Sequence, residues 1–150
     1  MKITLGTVQF GINYGISNQH GVPSDTELKT IFKVAKSSGI QQLDTAKAYG
    51  NAEERIGELS NSKFDIITKF PNVASEKELE IALSESLHKL NVSSIYGYLA
   101  HNADVLIQKP SLWKVLLEAK KEGKIKKIGY SLYTPEQLER LLDLNCIPDL

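Results

Sequence analysis

The sequence has one cysteine, Cys146, so a single copy cannot form an internal disulfide and must hold itself together by burial. It has no excess of either charge. Eighteen Lys and Arg stand against 18 Asp and Glu, which removes any general pull toward nucleic acid or anionic lipid. It has no apolar run long enough to cross a bilayer, and the Met1-Lys2-Ile3 start leads into no apolar signal segment. These absences argue against nucleic-acid and membrane partners and predict a cytoplasmic protein, in which the sequon Asn91-Val92-Ser93 is fortuitous. No Pro-rich, Gly/Ser-rich or low-complexity stretch marks a linker, so residues 1–150 are expected to form a single domain. At 41% hydrophobic residues over 150 positions, that domain has enough apolar surface for a sizeable core.

What is present is an alternation of short β-rich stretches with helical ones. Strands are predicted at Ile3-Thr4-Leu5, Gln41-Gln42-Leu43, Asp65-Ile66-Ile67-Thr68, Ile95 to Ala100 and Lys126 to Tyr130. The first helix opens with the capping box Ser24-Asp25-Thr26-Glu27, carries Leu28, Ile31, Phe32 and Ala35 on one face and stops at Gly39. A shorter one runs from about Ala52 through Ile56 and Leu59. The third starts at Ser75, with Leu79, Leu83, Leu87 and Leu90 on one stripe. The fourth opens at Pro110 and ends before Gly123. The fifth has Thr134 as cap, Pro135 and Gln137 in its first turn, and Leu138, Leu141 and Leu142 facing inward. Asn145 to Leu150 resembles the start of a sixth strand.

Five strands each followed by a helix imply βα units, parallel strands and right-handed crossovers. Two α/β architectures fit: an open sheet with helices on both faces, or about five units of a (β/α)8 barrel. In both, residues just past the strand ends converge on one edge. There stand Asp44, with Tyr49 five residues on, then Lys69, His101 and Ser131. An ammonium beside a phenol stabilises the phenolate, so Lys69 is expected to lower the pKa of Tyr49, with Asp44 holding the lysine. His101 can hydrogen-bond a carbonyl oxygen and hold it against the phenol. The set suits proton delivery to a carbonyl that becomes an alcohol. No thiol stands at a strand end, no histidines have metal-ligand spacing, so no metal is expected, and no Gly-rich loop cradles phosphates.

Several segments resemble the aldo-keto reductase family, in order and at compatible spacings. They are Leu5-Gly6-Thr7-Val8-Gln9-Phe10-Gly11, the Leu43-Asp44-Thr45-Ala46 to Tyr49-Gly50-Asn51-Ala52-Glu53-Glu54 stretch, Ile67-Thr68-Lys69, Leu99-Ala100-His101 and Gly123 to Ser131. The resemblance covers essentially the whole chain and implies a TIM (β/α)8 barrel, here about five βα units plus the start of strand six. It implies reduction of an aldehyde or ketone by NADPH or NADH. Tyr49 would be the general acid, assisted by Lys69, Asp44 and His101; Gly6 and Thr7 would border the nicotinamide, and Ser131 would contact its carboxamide. Leu132 departs from the family, many members of which place a second nicotinamide-gripping residue, asparagine, after the serine. The family also binds cofactor phosphates and adenosine on loops after later strands. An alternative follows: a truncated, non-catalytic fragment acting as a scaffold or interaction module. A partial barrel is further expected to self-associate, or to bind a partner over its open sheet edges.

Other features have plainer readings. Lys120, Lys121, Lys124, Lys126 and Lys127 place positive charge at a helix C-terminus and a solvated turn. Tyr96, Tyr98, Tyr130 and Tyr133 are read as packing along strands, Cys146 as a small apolar filler, and His88 as solvent-facing.

Overall fold

A computed structural model describes residues 3–60 and 64–150. Five parallel strands run β1 (Thr4–Gly6), β2 (Gln42–Asp44), β3 (Asp65–Phe70), β4 (Ile95–Ala100) and β5 (Ile125–Tyr130). They lie side by side in chain order, β1-β2-β3-β4-β5. That order decides between the two architectures. A doubly wound sheet reverses its strand order at a switch point and so puts helices on both faces, whereas every connection here steps one strand in the same direction. Right-handed crossovers then place all the helices on one side, and the sheet is the wall of a partial (β/α)8 barrel.

The helices are α1 (Val8–Gly11), α2 (Asp25–Ser37), α3 (Ala52–Leu59), α4 (Glu76–Lys89), α5 (Asp104–Gln108), α6 (Ser111–Lys121) and α7 (Pro135–Asp143). The capping signals act as read. Ser24 Oγ accepts from the Glu27 N–H while the Glu27 carboxylate accepts from the Ser24 N–H at 2.8 Å, a reciprocal pair worth about 1 kcal/mol. Ser75 caps α4, and Thr134 with Gln137 closes a capping box on α7.

Side chains alternate across the wall. Leu43, Ile66, Phe70, Tyr98, Ala100, Ile128 and Tyr130 face the helices and are buried in the main core with Leu28, Phe32, Leu79, Leu106, Leu112 and Leu116. The opposite, barrel-interior face carries Gly6, Asp44, Ile67, Lys69, Gly97, Leu99 and Gly129, in register across neighbouring strands.

Some expectations need correction. The stretch from Asn102 to Lys109, to which no helix is assigned in the sequence, holds α5, which buries Val105 and Leu106 and packs against α6 and α7. A single turn also follows β1, burying Phe10. Pro110 serves as the cap of α6 rather than its first residue. Leu142 is 46% exposed, because α7 turns only Leu141 fully inward. Tyr133 lies past the end of β5 and is exposed, while Tyr98 and Tyr130 pack in the core as read. Asn145 to Leu150 forms no strand; it approaches β5 through Asp149, whose N–H donates to the Ile128 carbonyl at 2.8 Å and whose carboxylate accepts from the Ile128 N–H at 2.9 Å.

Candidate functional site

The parallel ladders continue one residue past the strands and fix the geometry of the edge. The N–H groups of Thr7, Thr45, His101 and Ser131 donate to the carbonyls of Asp44, Ile67, Phe70 and Ala100 respectively, at 2.8 to 3.0 Å. Asp44 and Lys69 therefore project from adjacent strands onto the same interior face, and they meet. Lys69 Nζ donates to Asp44 Oδ1 at 2.5 Å and to the Thr45 carbonyl at 2.9 Å. The lysine side chain is only 9% exposed and the aspartate 36%, so the pair is held in a partly dry corner.

Tyr49 stands in the turn between β2 and α3. Its N–H donates to the Ala46 carbonyl, its own carbonyl accepts from Ala52, and Gly50 follows with φ +60°, a backbone conformation that suits glycine. The turn aims the ring back over the strand ends: Lys69 Nζ lies 5.5 Å from the ring centre, and the ring meets His101 edge to face at 5.8 Å. Asp44, Tyr49, Lys69 and His101, spread over 58 positions of sequence, thus form one cluster.

The electrostatics of the cluster differ from expectation in one respect. The Tyr49 phenol titrates above the ordinary value of 10, first because it is half-buried and second because the Asp44 carboxylate repels a phenolate. Lys69 does not lower it, because the aspartate in direct contact offsets the ammonium at the distance of the ring. His101 titrates below its usual 6.5, chiefly through burial and then through the Lys69 charge, with Asp44 opposing. At neutral pH the phenol is protonated and the imidazole neutral. Such a pair contains a proton donor next to a neutral hydrogen-bonding ring.

The remaining expected positions sit on the same edge. Gly6 ends β1, is exposed, and a Cβ built on it would meet nothing within 4 Å. Thr7 is buried, and its Oγ1 donates to the Asp44 carbonyl at 2.9 Å, which ties β1 to β2. Ser131 directly follows β5, next to His101, and by alternation falls on the same face as Gly129. The edge thus has open backbone at its β1 end and the half-buried Ser131 at its β5 end. Among the described residues no three His, Cys, Asp or Glu side chains gather as a metal site. The cleft lined by Phe64, Leu90, Tyr96 and Lys126 lies at the opposite edge of the sheet and holds none of the four clustered groups.

Two residues near the site carry contacts that the sequence pattern does not assign, although Glu53 lies in a stretch that resembles the family. Glu53 is 2% exposed and accepts from Thr68 Oγ1 at 2.7 Å, fastening the start of α3 to β3. Arg55, also buried, donates to the Phe10 carbonyl at 2.6 Å, the Pro23 carbonyl at 2.7 Å and Asp25 at 2.7 Å. Charged residues early in an amphipathic helix look like its solvated face, and only the tertiary contacts show otherwise.

Comparison with known proteins agrees with this fold. The model of the aldo/keto reductase family matches residues 2–148. The chain is 35% identical to methylglyoxal reductase DkgA of Escherichia coli over 127 residues, 80% of this chain and 46% of that protein. It superposes on the aldo-keto reductase PA4992 of Pseudomonas aeruginosa with a TM-score of 0.81 at 30% identity, covering 93% of this chain and 59% of that one. An aldo-keto reductase of Bombyx mori, solved in complex with NADP, gives 0.72 at 26% identity over 94% of this chain and 50% of that one. The chain thus spans about half the length of the proteins it matches.

Proposed function

This chain belongs to the aldo/keto reductase family, and from that premise we propose that it carries the proton-transfer half of a nicotinamide-dependent carbonyl reductase. The single observation that supports the reading best is the contact set of Asp44, Lys69, Tyr49 and His101 at one strand edge. Tyr49 donates its phenolic proton to the carbonyl oxygen as that oxygen gains negative charge. His101, neutral at working pH, hydrogen-bonds the same oxygen and holds it within reach of the phenol. Lys69 stays beside the ring because Asp44 and the Thr45 carbonyl hold its ammonium.

NADPH or NADH is the cofactor proposed, and the edge fits its nicotinamide end. The open face of Gly6, the Thr7 backbone, the Asp44 carboxylate and the Ser131 hydroxyl would border it, and when bound it supplies the hydride that completes reduction to an alcohol. The likeness to methylglyoxal reductase makes a small reactive aldehyde the first substrate class to assay, and Leu132 leaves the carboxamide to Ser131. Residues 1–150 are proposed to act as a single cytoplasmic unit. No described helix is long and apolar enough to cross a membrane.

The test is cofactor titration by fluorescence, then reduction of methylglyoxal and 4-nitrobenzaldehyde by the protein and by Tyr49→Phe. Turnover that survives Tyr49→Phe unchanged would defeat the assignment of the acid. A second reading, the non-catalytic interaction module, is favoured by the two sheet edges at β1 and β5, each with one neighbouring strand. Absence of cofactor binding together with self-association would select it.

A further inference from the structure

Tyr49 can act as a donor only if its turn is held still; its own backbone bonds to Ala46 and Ala52 shape the turn, and a close contact from another element bears on it from outside. Gly11, the last residue of α1, lies against that turn so closely that a Cβ on it would fall 1.8 Å from the Tyr49 carbonyl oxygen and 2.6 Å from the Ala52 nitrogen. Gly50 faces it in return, with its own hypothetical Cβ 2.4 Å from the Gly11 carbonyl oxygen. The α1 turn and the Tyr49 turn are thus packed mainly backbone to backbone, with Ile12 Cγ2 beside them, 3.0 Å from the Cβ position of Gly50. Such a contact has little attraction of its own. Something must press the two together.

We propose that Arg55 is that clamp, a positioning residue for Tyr49 that works through the α1 turn. Arg55 stands on α3, the helix that begins just after the Tyr49 turn. Its Nη1 donates to the Phe10 carbonyl, one residue before Gly11, and Nη2 donates to the Pro23 carbonyl. Nη2 and Nε both donate to Asp25 Oδ1, at 2.7 and 3.2 Å. One guanidinium therefore joins the start of α3, the α1 turn and the start of α2. A planar fork with five donors serves two carbonyls and a carboxylate at once, whereas an ammonium is a single point with different reach. Because the side chain is 11% exposed, water does not readily replace these bonds. This inference rests on Tyr49 being the acid, yet its physical content, the immobility of the turn, is measurable without turnover.

The experiment is amide hydrogen exchange by NMR on the protein, Arg55→Lys and Asp25→Asn, with the Tyr49 phenol titrated in the same samples. Tyr49→Phe assigns its signal. In Arg55→Lys the Tyr49 and Ala52 amides should exchange roughly ten- to hundredfold faster, the range expected for loss of one charge-assisted hydrogen bond. The phenol should titrate closer to an ordinary tyrosine as the turn admits water. Asp25→Asn, at an exposed side chain that leaves the two carbonyl bonds in place, should fall between the protein and Arg55→Lys. Equal exchange in all three, or acceleration spread evenly over β3 and β4, would overturn the proposal. If instead the unaltered protein reduces no carbonyl, the catalytic reading fails while these exchange rates still decide the clamp.

Discussion

Gly11→Ala adds a single methyl group, and the structure specifies what it hits. The new carbon would stand 1.8 Å from the Tyr49 carbonyl oxygen and 2.9 Å from its carbonyl carbon, both backbone atoms that no rotamer change can move aside. Relief requires the α1 turn and the Tyr49 turn to part by more than 1 Å, against a normal carbon–oxygen contact of about 3.2 Å. Overpacking of this kind costs about 1–3 kcal/mol, and the better helix propensity of alanine returns about 0.5–1 kcal/mol. A net loss of about 1–2 kcal/mol lowers the melting temperature of a domain this size by roughly 2–8 °C. Catalysis should suffer more than stability, since a displacement near 1 Å at a proton donor can cost about a hundredfold in rate. Gly6→Ala is the control: nothing lies within 4 Å of its Cβ, so the melting temperature should hold while cofactor affinity falls. Thermal unfolding and steady-state kinetics on both variants check this. If Gly11→Ala kept its melting temperature and rate, the backbone contact between the turns would not exist as described.

Other expectations follow from the same structure. Tyr49→Phe should reduce kcat about 10²- to 10⁴-fold with the fold intact by circular dichroism. Because the folded Tyr49 phenol titrates above 10, the rate should decline only in strongly alkaline buffer. The unfolded chain releases this proton first, so the stability contribution is complete below pH 10 and lost as pH rises through the folded value. His101 has the opposite sign: its contribution is full above 6.5 and lost as pH falls through its lowered folded value, which pH-dependent unfolding detects. Among the described residues the buried Tyr98 hydroxyl has the Ser86 hydroxyl near it but makes no well-formed hydrogen bond, so Tyr98→Phe should change stability by no more than about 1 kcal/mol; a larger loss by urea unfolding would contradict this. Sedimentation at tens of micromolar should show self-association through the β1 edge, since Asp149 already occupies β5 at Ile128; a monomer with slow exchange in β1 would refute it.

Legibility of the sequence followed the range of the physics involved. Ser24-Glu27, Ser75 and Thr134-Gln137 mark helix starts correctly because a cap is a contact three residues long. Four and five residues are too few to display a helical period, so α1 and α5 leave no pattern to read. Strand order is not a local property at all, and only the ladder separates a barrel wall from a doubly wound sheet. The four clustered residues could be located because each stands at or just beyond a strand end. The direction of the Tyr49 shift could not, since it depends on whether Lys69 or Asp44 lies nearer the phenol and on how much water remains. Arg55 and Glu53 were hidden for the reason that a charged side chain in a helix is normally solvated.

The sequential order of the strands has a consequence for how the protein is made. Each of β2 to β5 pairs with the strand synthesised just before it. Asp44 and Lys69 are complete once β3 leaves the ribosome, and His101 joins them one βα unit later. The Arg55 bonds to the Phe10 and Pro23 carbonyls involve only residues that precede β3. All four clustered residues precede β5 and α7 in the chain, so a ribosome stalled shortly after residue 101 has cleared the exit tunnel should already display Asp44, Tyr49, Lys69 and His101 side by side.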